Sequence, residues 1–279
     1  MNRTKLLTIV STLGMLFSIT SCQENDPTLL PATSTTSTAT LDSQTTGQQA
    51  ITNFIYKETM EGLTPFSTAD DLDVGDWDYA MQFVKAPYFR GLKSARFEIR
   101  EDQPLVANGK RSEVTIVKGS KGHITKNAWY SFAVYFPSVG YEYDDERECI
   151  NQWFQDRTPA TSLRTHRDRI LLESGNTEDN RKKYDIGPIA KNRWHTFVMH
   201  FIHSYGSDGL IELWYDGTKK LTIRGGNMYD NFLPKWKIGL YKSAFKDGTS
   251  DVTRRIIYFD NIKVGNDKAT YETMRPAYY

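Results

Sequence analysis

Cysteine is scarce in this chain of 279 residues, which contains only Cys22 and Cys149. Two cysteines cannot form a disulfide framework, and they make a metal site built from several thiolates improbable. Cys22 belongs to the N-terminal segment described below, so a single cysteine is left for the folded part. The fold must therefore depend on its hydrophobic core.

The chain also lacks an excess of charge of one sign. Its 35 lysines and arginines nearly balance its 34 aspartates and glutamates, and the formal net charge is +1. A general nucleic-acid-binding domain carries a clear basic excess. We therefore expect no nucleic-acid partner, and any function that needs positive charge must come from a local cluster.

The apolar run at the N-terminus is too short to span a bilayer. Residues 6–17 form a largely apolar run, follow Arg3 and Lys5, and lead into the sequence I-T-S-C that ends at Cys22. This pattern is typical of a bacterial signal peptide that ends in a lipoprotein cleavage box. We expect residues 1–22 to be that signal and Cys22 to be lipidated, although an ordinary cleaved signal with a chance cysteine is the alternative.

The expected lipid on Cys22 would be the only membrane attachment of the protein. The acidic residues 23–26 resemble the export signal of bacterial surface lipoproteins. The predicted location is therefore the outer membrane of a Gram-negative bacterium, with the protein facing the cell surface or the periplasm.

The rest of the chain divides into a tether and one domain. Residues 23–50 contain much Thr, Ser, Ala and Gln and almost no large apolar residue, so they should form a disordered tether. Residues 51–279 show no long helical periodicity and no internal repeat. Their short alternating runs, separated by Gly, Asp and Asn, predict an all-β antiparallel sandwich.

One predicted strand, residues 109–117, has two different faces. Val114 and Ile116 should point to the core, while Arg111 and Glu113 point away from it. Three other segments repeat this pattern, with large apolar side chains on the opposite face. Their outward-facing residues are Arg96, Arg100, Ile150, Gln152, Phe154, Lys235, Lys237 and Tyr241. We expect the polar residues among them to form one open face with Arg111 and Glu113.

The sequence requires no metal or cofactor. An acidic loop is the one place where calcium could bind, but it lacks EF-hand spacing, and solvated loop charge is the preferred interpretation. Its carboxylates belong to Asp70, Asp71, Asp73, Asp76 and Asp78. The basic stretches 164–169 and 181–183 are likewise interpreted as solvated edges rather than ligand sites.

Three segments resemble motifs of the jelly-roll polysaccharide lyases, in the same order and at similar spacing. They are R-S-E-V at 111–114, I-N-Q-W-F at 150–154 and K-W-K-I-G-L-Y at 235–241. The corresponding strands of the alginate lyases read R-S/T-E, Q-I-H and Y-F-K-A-G-x-Y. The sequences W-H-T-F-V at 194–198 and Y-F-D-N-I-K-V at 258–264 resemble the glucuronan lyase and heparin lyase I-like group. The resemblance implies a concave, concanavalin A-like jelly roll.

The resemblance also implies β-elimination next to a uronic acid. Arg111 and Gln152 match the residues that neutralise the uronate carboxylate, which makes the C5 proton acidic enough to remove. Tyr241 matches the tyrosine-bearing strand and is suited to proton transfer. The chain departs from the pattern at Phe154, where the alginate lyases have His, and at Lys235, where they have Tyr. The base is then Tyr241, a histidine from another strand such as His200, or absent.

The predicted function is a polysaccharide lyase acting on an anionic, uronic-acid-containing polysaccharide. The predicted catalytic residues are Tyr241, Gln152, Arg111 and His200. The predicted substrate-binding residues are Glu113, Lys237, Lys235, Arg96, Arg100 and Phe154. The alternative is a non-catalytic surface carbohydrate-binding lipoprotein on the same fold. A retaining glycoside hydrolase is disfavoured because its strand with paired carboxylates is absent.

Overall fold

A computed structural model of the chain describes residues 52–276. The predictions about the signal peptide, Cys22 and the tether concern residues outside this range. No helix within the range is both long enough and apolar enough to cross a membrane.

Two antiparallel sheets make up the domain. The eight-stranded sheet contains, in spatial order, β13 (Thr218–Arg224), β12 (Leu210–Tyr215), β11 (Trp194–Ile202), β6 (Asn127–Tyr135), β15 (Arg254–Gly265), β4 (Ser94–Arg100) and β3 (Met81–Val84), with β1 (Phe54–Glu58) also paired to β15. The seven-stranded sheet contains β10 (Lys182–Pro188), β9 (Arg169–Ser174), β8 (Thr158–His166), β7 (Glu148–Gln155), β14 (Lys235–Tyr241), β5 (Arg111–Lys118) and β2 (Asp71–Asp73). A 3₁₀ turn (Gly119–Lys121) and α1 (Ala244–Asp247) connect the two sheets, and α2 (Tyr271–Met274) follows the last strand.

Aromatic side chains from both sheets form the core between them. Trp153 of β7 packs against Phe201 of β11 with ring centroids 4.4 Å apart, and Trp236 of β14 packs against Tyr130 of β6 at 4.9 Å. All four side chains are fully buried. Burying a large apolar side chain contributes about 1.5–3 kcal/mol, so these contacts hold the sheets together. The predicted all-β antiparallel sandwich is confirmed.

A β-bulge in β7 corrects one detail of the predicted alternation. The pairing of β7 with β8 shifts between Cys149 and Asn151. Ile150 therefore lies in the core, although strict alternation placed it on the outer face. Gln152 and Phe154 follow the bulge, and they keep the outer face that the sequence predicted.

Candidate functional site

The polar side chains of β5, β14 and β7 meet on the outer face of the seven-stranded sheet. Strand β14 lies between the other two, so residues far apart in the sequence become neighbours. Tyr241 lies opposite Arg111 of β5, and Lys237 lies opposite Gln152 of β7. Because directly paired residues of neighbouring strands share a face, this register brings the predicted groups together.

Glu113 is the centre of this group, and it lies beneath the surface with only 1% of its area exposed. Its Oε2 accepts hydrogen bonds from Arg111 Nη1 at 3.1 Å and from Lys237 Nζ at 2.9 Å, and its Oε1 accepts one from Gln152 Nε2. A buried carboxylate needs such partners to offset its lost hydration. Glu113 therefore orders these three donors from beneath the surface, and its predicted role in substrate binding stays a prediction.

Lys237 also supports the site from below. Its ammonium contacts Asp73 Oδ2 at 2.5 Å in addition to Glu113. Burial alone would lower the pKa of Lys237, but the two carboxylates outweigh that effect and raise it above its ordinary value. Lys237 thus remains charged and balances Glu113, and its predicted role in substrate binding stays a prediction.

The other predicted residues on this face are Arg111, Tyr241, Lys235 and Phe154. The guanidinium of Arg111 lies 4.6 Å from the centre of the Tyr241 ring, and the ammonium of Lys235 lies 4.7 Å from the centre of the Phe154 ring. Burial, and then the nearby charge of Lys237, lowers the pKa of Lys235. The face thus combines a phenol, a guanidinium, an amide and an aromatic ring.

Three predicted site residues lie elsewhere. Arg96 and Arg100 belong to β4 of the eight-stranded sheet, where both form ion pairs with Glu98. His200 belongs to β11 of that sheet, stacks on Trp129 at 4.2 Å and contacts Glu212 Oε2 at 2.9 Å. The prediction that these residues share a face with Arg111 is wrong, because alternation assigns a residue to one side of its strand but does not assign the strand to a sheet.

The structure adds residues that the sequence analysis did not assign to the site. A cavity of about 300 Å³ runs from Arg111, Gln152 and Tyr241 across β7 and β8. Four more arginines line it, namely Arg147, Arg157, Arg164 and Arg181. Two of them come from stretches that we interpreted as solvated edges. The sequence did contain a signal for Arg164. It follows the buried Leu163 in an alternating strand, so its side chain should point to the outer face, as that of Ser162 does.

The acidic loop that was considered for calcium is occupied by cationic partners. Asp70 contacts Lys121 Nζ at 2.8 Å and His123 Nδ1 at 2.8 Å, and Asp71 contacts Lys118 Nζ at 3.0 Å. Within residues 52–276, no group of three or more His, Cys, Asp or Glu side chains is arranged to hold a metal ion. Asp70 and Asp71 thus take part in ion pairing.

The solved structures to which the chain was compared include two lyases and a binding domain. The endo-β-1,4-glucuronan lyase from the fungus Trichoderma reesei superposes with a TM-score of 0.64 at 15% identity, covering 81% of this chain and 100% of that one. The alginate lyase from Corynebacterium sp. has a TM-score of 0.48 at 14% identity, covering 68% and 82%. The binding domain of botulinum neurotoxin DC in complex with SialylT has a TM-score of 0.50 at 9% identity, covering 79% and 49%. At such identities the likeness concerns the fold alone.

Family membership follows from the sequence rather than from these superpositions. No curated protein matches the chain. The sequence model of a polysaccharide lyase family, however, matches residues 52–263, which include β1 to β14, most of β15 and every residue of the site described above. The chain belongs to this polysaccharide lyase family.

Proposed function

We propose that this protein cleaves a uronic-acid-containing polysaccharide by β-elimination. The observation that carries the proposal is the grouping of the Arg111 guanidinium, the Gln152 amide and the Tyr241 phenol on one face of the seven-stranded sheet. Membership of a polysaccharide lyase family supports a polysaccharide substrate. The similar fold of a glucuronan lyase is consistent with a uronate as the sugar that is attacked.

Arg111 and Gln152 would neutralise the uronate carboxylate. Arg111 and Gln152 each donate one hydrogen bond to Glu113. A guanidinium has five N–H donors and a primary amide has two. Donors therefore remain for a substrate carboxylate. Charge-assisted hydrogen bonds to that carboxylate stabilise the negative charge that develops when C5 loses its proton.

Tyr241 would transfer a proton in the reaction. The C5–H bond breaks, its electrons form the C4=C5 double bond, the C4–O4 bond breaks, and O4 receives a proton. Tyr241 is suited to act as the base at C5 or as the acid at O4. The other group considered for the base, His200, belongs to the opposite sheet.

The test is a search for unsaturated product. The protein is incubated with alginate, glucuronan, heparin, heparan sulfate and ulvan, and the absorbance of the new double bond is followed. Tyr241→Phe should lower the rate on the best substrate by about 10²–10⁴-fold with binding nearly intact. Arg111→Ala should weaken both binding and turnover, because Arg111 meets the carboxylate in the ground state and in the transition state.

The matched control is Tyr258→Phe, since Tyr258 lies on β15 of the other sheet and packs against Tyr135. This variant should keep the wild-type rate. Equal rates for wild type and Tyr241→Phe would remove Tyr241 from the mechanism.

A non-catalytic carbohydrate-binding protein is the second candidate. Phe154 favours it, because this residue stands where the alginate lyases have a histidine. Binding of uronate polymers by the wild-type protein with no unsaturated product from any of them would support this candidate. For either activity we propose that lipidation of Cys22 holds the protein at the outer membrane.

A further inference from the structure

The cavity beside Tyr241 carries more positive charge than the neutralisation of one carboxylate requires. Five arginines line it, together with a single carboxylate from Glu173. Arg111 belongs to the group around Glu113. The remaining arginines, Arg147, Arg157, Arg164 and Arg181, extend from β7 toward β10. This local excess contrasts with the near-zero net charge of the chain.

Glu173 holds two of these arginines in place. Its side chain is 5% exposed, its Oε1 accepts a hydrogen bond from Arg147 Nη1, and its Oε2 lies 3.1 Å from Arg164 Nε. A carboxylate accepts about four hydrogen bonds at most, whereas two guanidinium groups offer about ten N–H donors. Most of these donors therefore remain for a ligand, on side chains that a buried partner has already ordered.

Arg164 of this pair lies one strand away from Gln152, which is proposed to neutralise the uronate carboxylate. Gln152 of β7 pairs directly with Ser162 of β8, and Arg164 lies two residues further along β8. One strand spacing across and two residues along give a backbone separation of about 8 Å. This separation places Arg164 beside the Gln152 position rather than at it, so Arg164 can meet an anionic group on the neighbouring sugar.

We propose that Arg147 and Arg164, positioned by Glu173, form a second anion subsite that binds a carboxylate or sulfate ester on the sugar next to the cleaved uronate. The inference rests on the proposed lyase function and narrows its substrate. The protein acts on polymers with consecutive anionic sugars and discriminates against uronates that are flanked by neutral sugars.

The test compares glucuronan, in which every sugar carries a carboxylate, with gellan, in which each glucuronate has neutral neighbours. The double variant Arg164→Gln, Glu173→Gln removes a cation without leaving a buried carboxylate unpaired. Its kcat/KM on glucuronan should fall about 10-fold or more, the loss expected for a charge-assisted hydrogen bond. Its kcat/KM on gellan should change less than about 2-fold, and Arg164→Lys should retain part of the glucuronan activity.

The control is Arg169→Gln, because Arg169 forms a surface ion pair with Asp185 and does not line the cavity. This variant should keep the wild-type kcat/KM on both glucuronan and gellan. A larger loss on heparin than on glucuronan would assign the subsite to sulfate, and the reverse would assign it to carboxylate. Equal losses on glucuronan and gellan, or no loss on either, would overturn the proposal, as would wild-type turnover of gellan as efficient as that of glucuronan.

The subsite can be tested separately if the protein has no lyase activity. Should the wild-type protein release no unsaturated product from any polymer, calorimetric binding of glucuronan and gellan replaces turnover as the measurement. A selective loss of glucuronan affinity in the double variant supports the subsite. Unchanged affinity in that variant overturns it.

Discussion

At the residue scale, Glu113 explains how one sheet face can present several cationic or amide groups at fixed positions. A buried charge is tolerated only when it is paired, and here one carboxylate serves Arg111, Lys237 and Gln152 together. The donors are thereby ordered before a substrate arrives. The same arrangement recurs at Glu173, which holds Arg147 and Arg164.

Glu113→Gln should lower the free energy of unfolding by about 3 kcal/mol. The substitution leaves Asp73 as the remaining ion-pair partner of buried Lys237, and it removes the negative charge that pairs with Arg111. Urea denaturation measures the change. The control Asp185→Asn breaks an ion pair between half-exposed groups and should cost less than about 1 kcal/mol. Similar small losses in both variants would contradict the buried-network interpretation.

At the scale of the element, β14 organises the site because it lies between β5 and β7. Gly239 allows β14 and β5 to approach closely. A Cβ at this position would lie 2.2 Å from Ser112 O and 2.8 Å from the Cα of Glu113, and the φ of Gly239 is 128°. A side chain there would have to displace the backbone that carries Glu113.

Gly239→Ala should therefore destabilise the protein more than a glycine replacement in open space. Gly225 provides the comparison, since its φ is 115° and no atom lies within 4 Å of the Cβ position. Gly225→Ala should cost about 1–3 kcal/mol for the strained backbone alone. Gly239→Ala should cost about 2 kcal/mol more because of the backbone contact, and it should also reduce turnover. Equal melting temperatures for the two variants would show that β14 can shift without penalty.

At the scale of the whole molecule, a buried histidine should make stability depend on pH. His203 packs beside Phe201 between the sheets, and its Nε2 lies 2.8 Å from the Tyr130 hydroxyl. Burial lowers the pKa of His203 from its ordinary value of 6.5 to about 3. The unfolded chain therefore binds a proton between these two values, while the folded protein does not.

The His203 contribution to stability is complete above pH 6.5 and is lost as the pH falls toward 3. The loss amounts to about 1.4 kcal/mol per pH unit within that window. Urea denaturation of the wild type at several pH values should show this slope added to the effects of other groups, and His203→Gln should show a shallower slope. Parallel slopes for the two proteins would mean that His203 does not titrate on unfolding.

The proposed lipid anchor concerns the whole molecule as well. Cys22→Ala should move the protein out of the membrane fraction once the signal segment is removed, because the tether sequence has no apolar segment to replace the lipid. Cys149→Ala is the matched control, since this cysteine is buried in the domain, and it should leave fractionation unchanged. Membrane retention of the Cys22→Ala protein would argue against the anchor.

The sequence by itself determined which side of each strand the site residues occupy. Arg111, Gln152, Lys235 and Tyr241 lie on the faces that alternation predicted. The antiparallel sandwich also followed from short alternating runs and turn residues. These features were accessible because successive side chains of a strand point to opposite faces, which is a local property of the chain.

Only the tertiary structure decided which strands share a sheet and which residues meet there. It assigned Arg96, Arg100 and His200 to the eight-stranded sheet, turned Ile150 inward at a bulge, and brought Glu173 to Arg147 and Arg164. Strand pairing and register depend on packing between segments far apart in sequence, and period-two alternation is the same whichever sheet a strand joins. For that physical reason the sequence could predict the two faces of a regular strand, while the bulge at Ile150 and the set of residues that meet in the site depended on the folded chain.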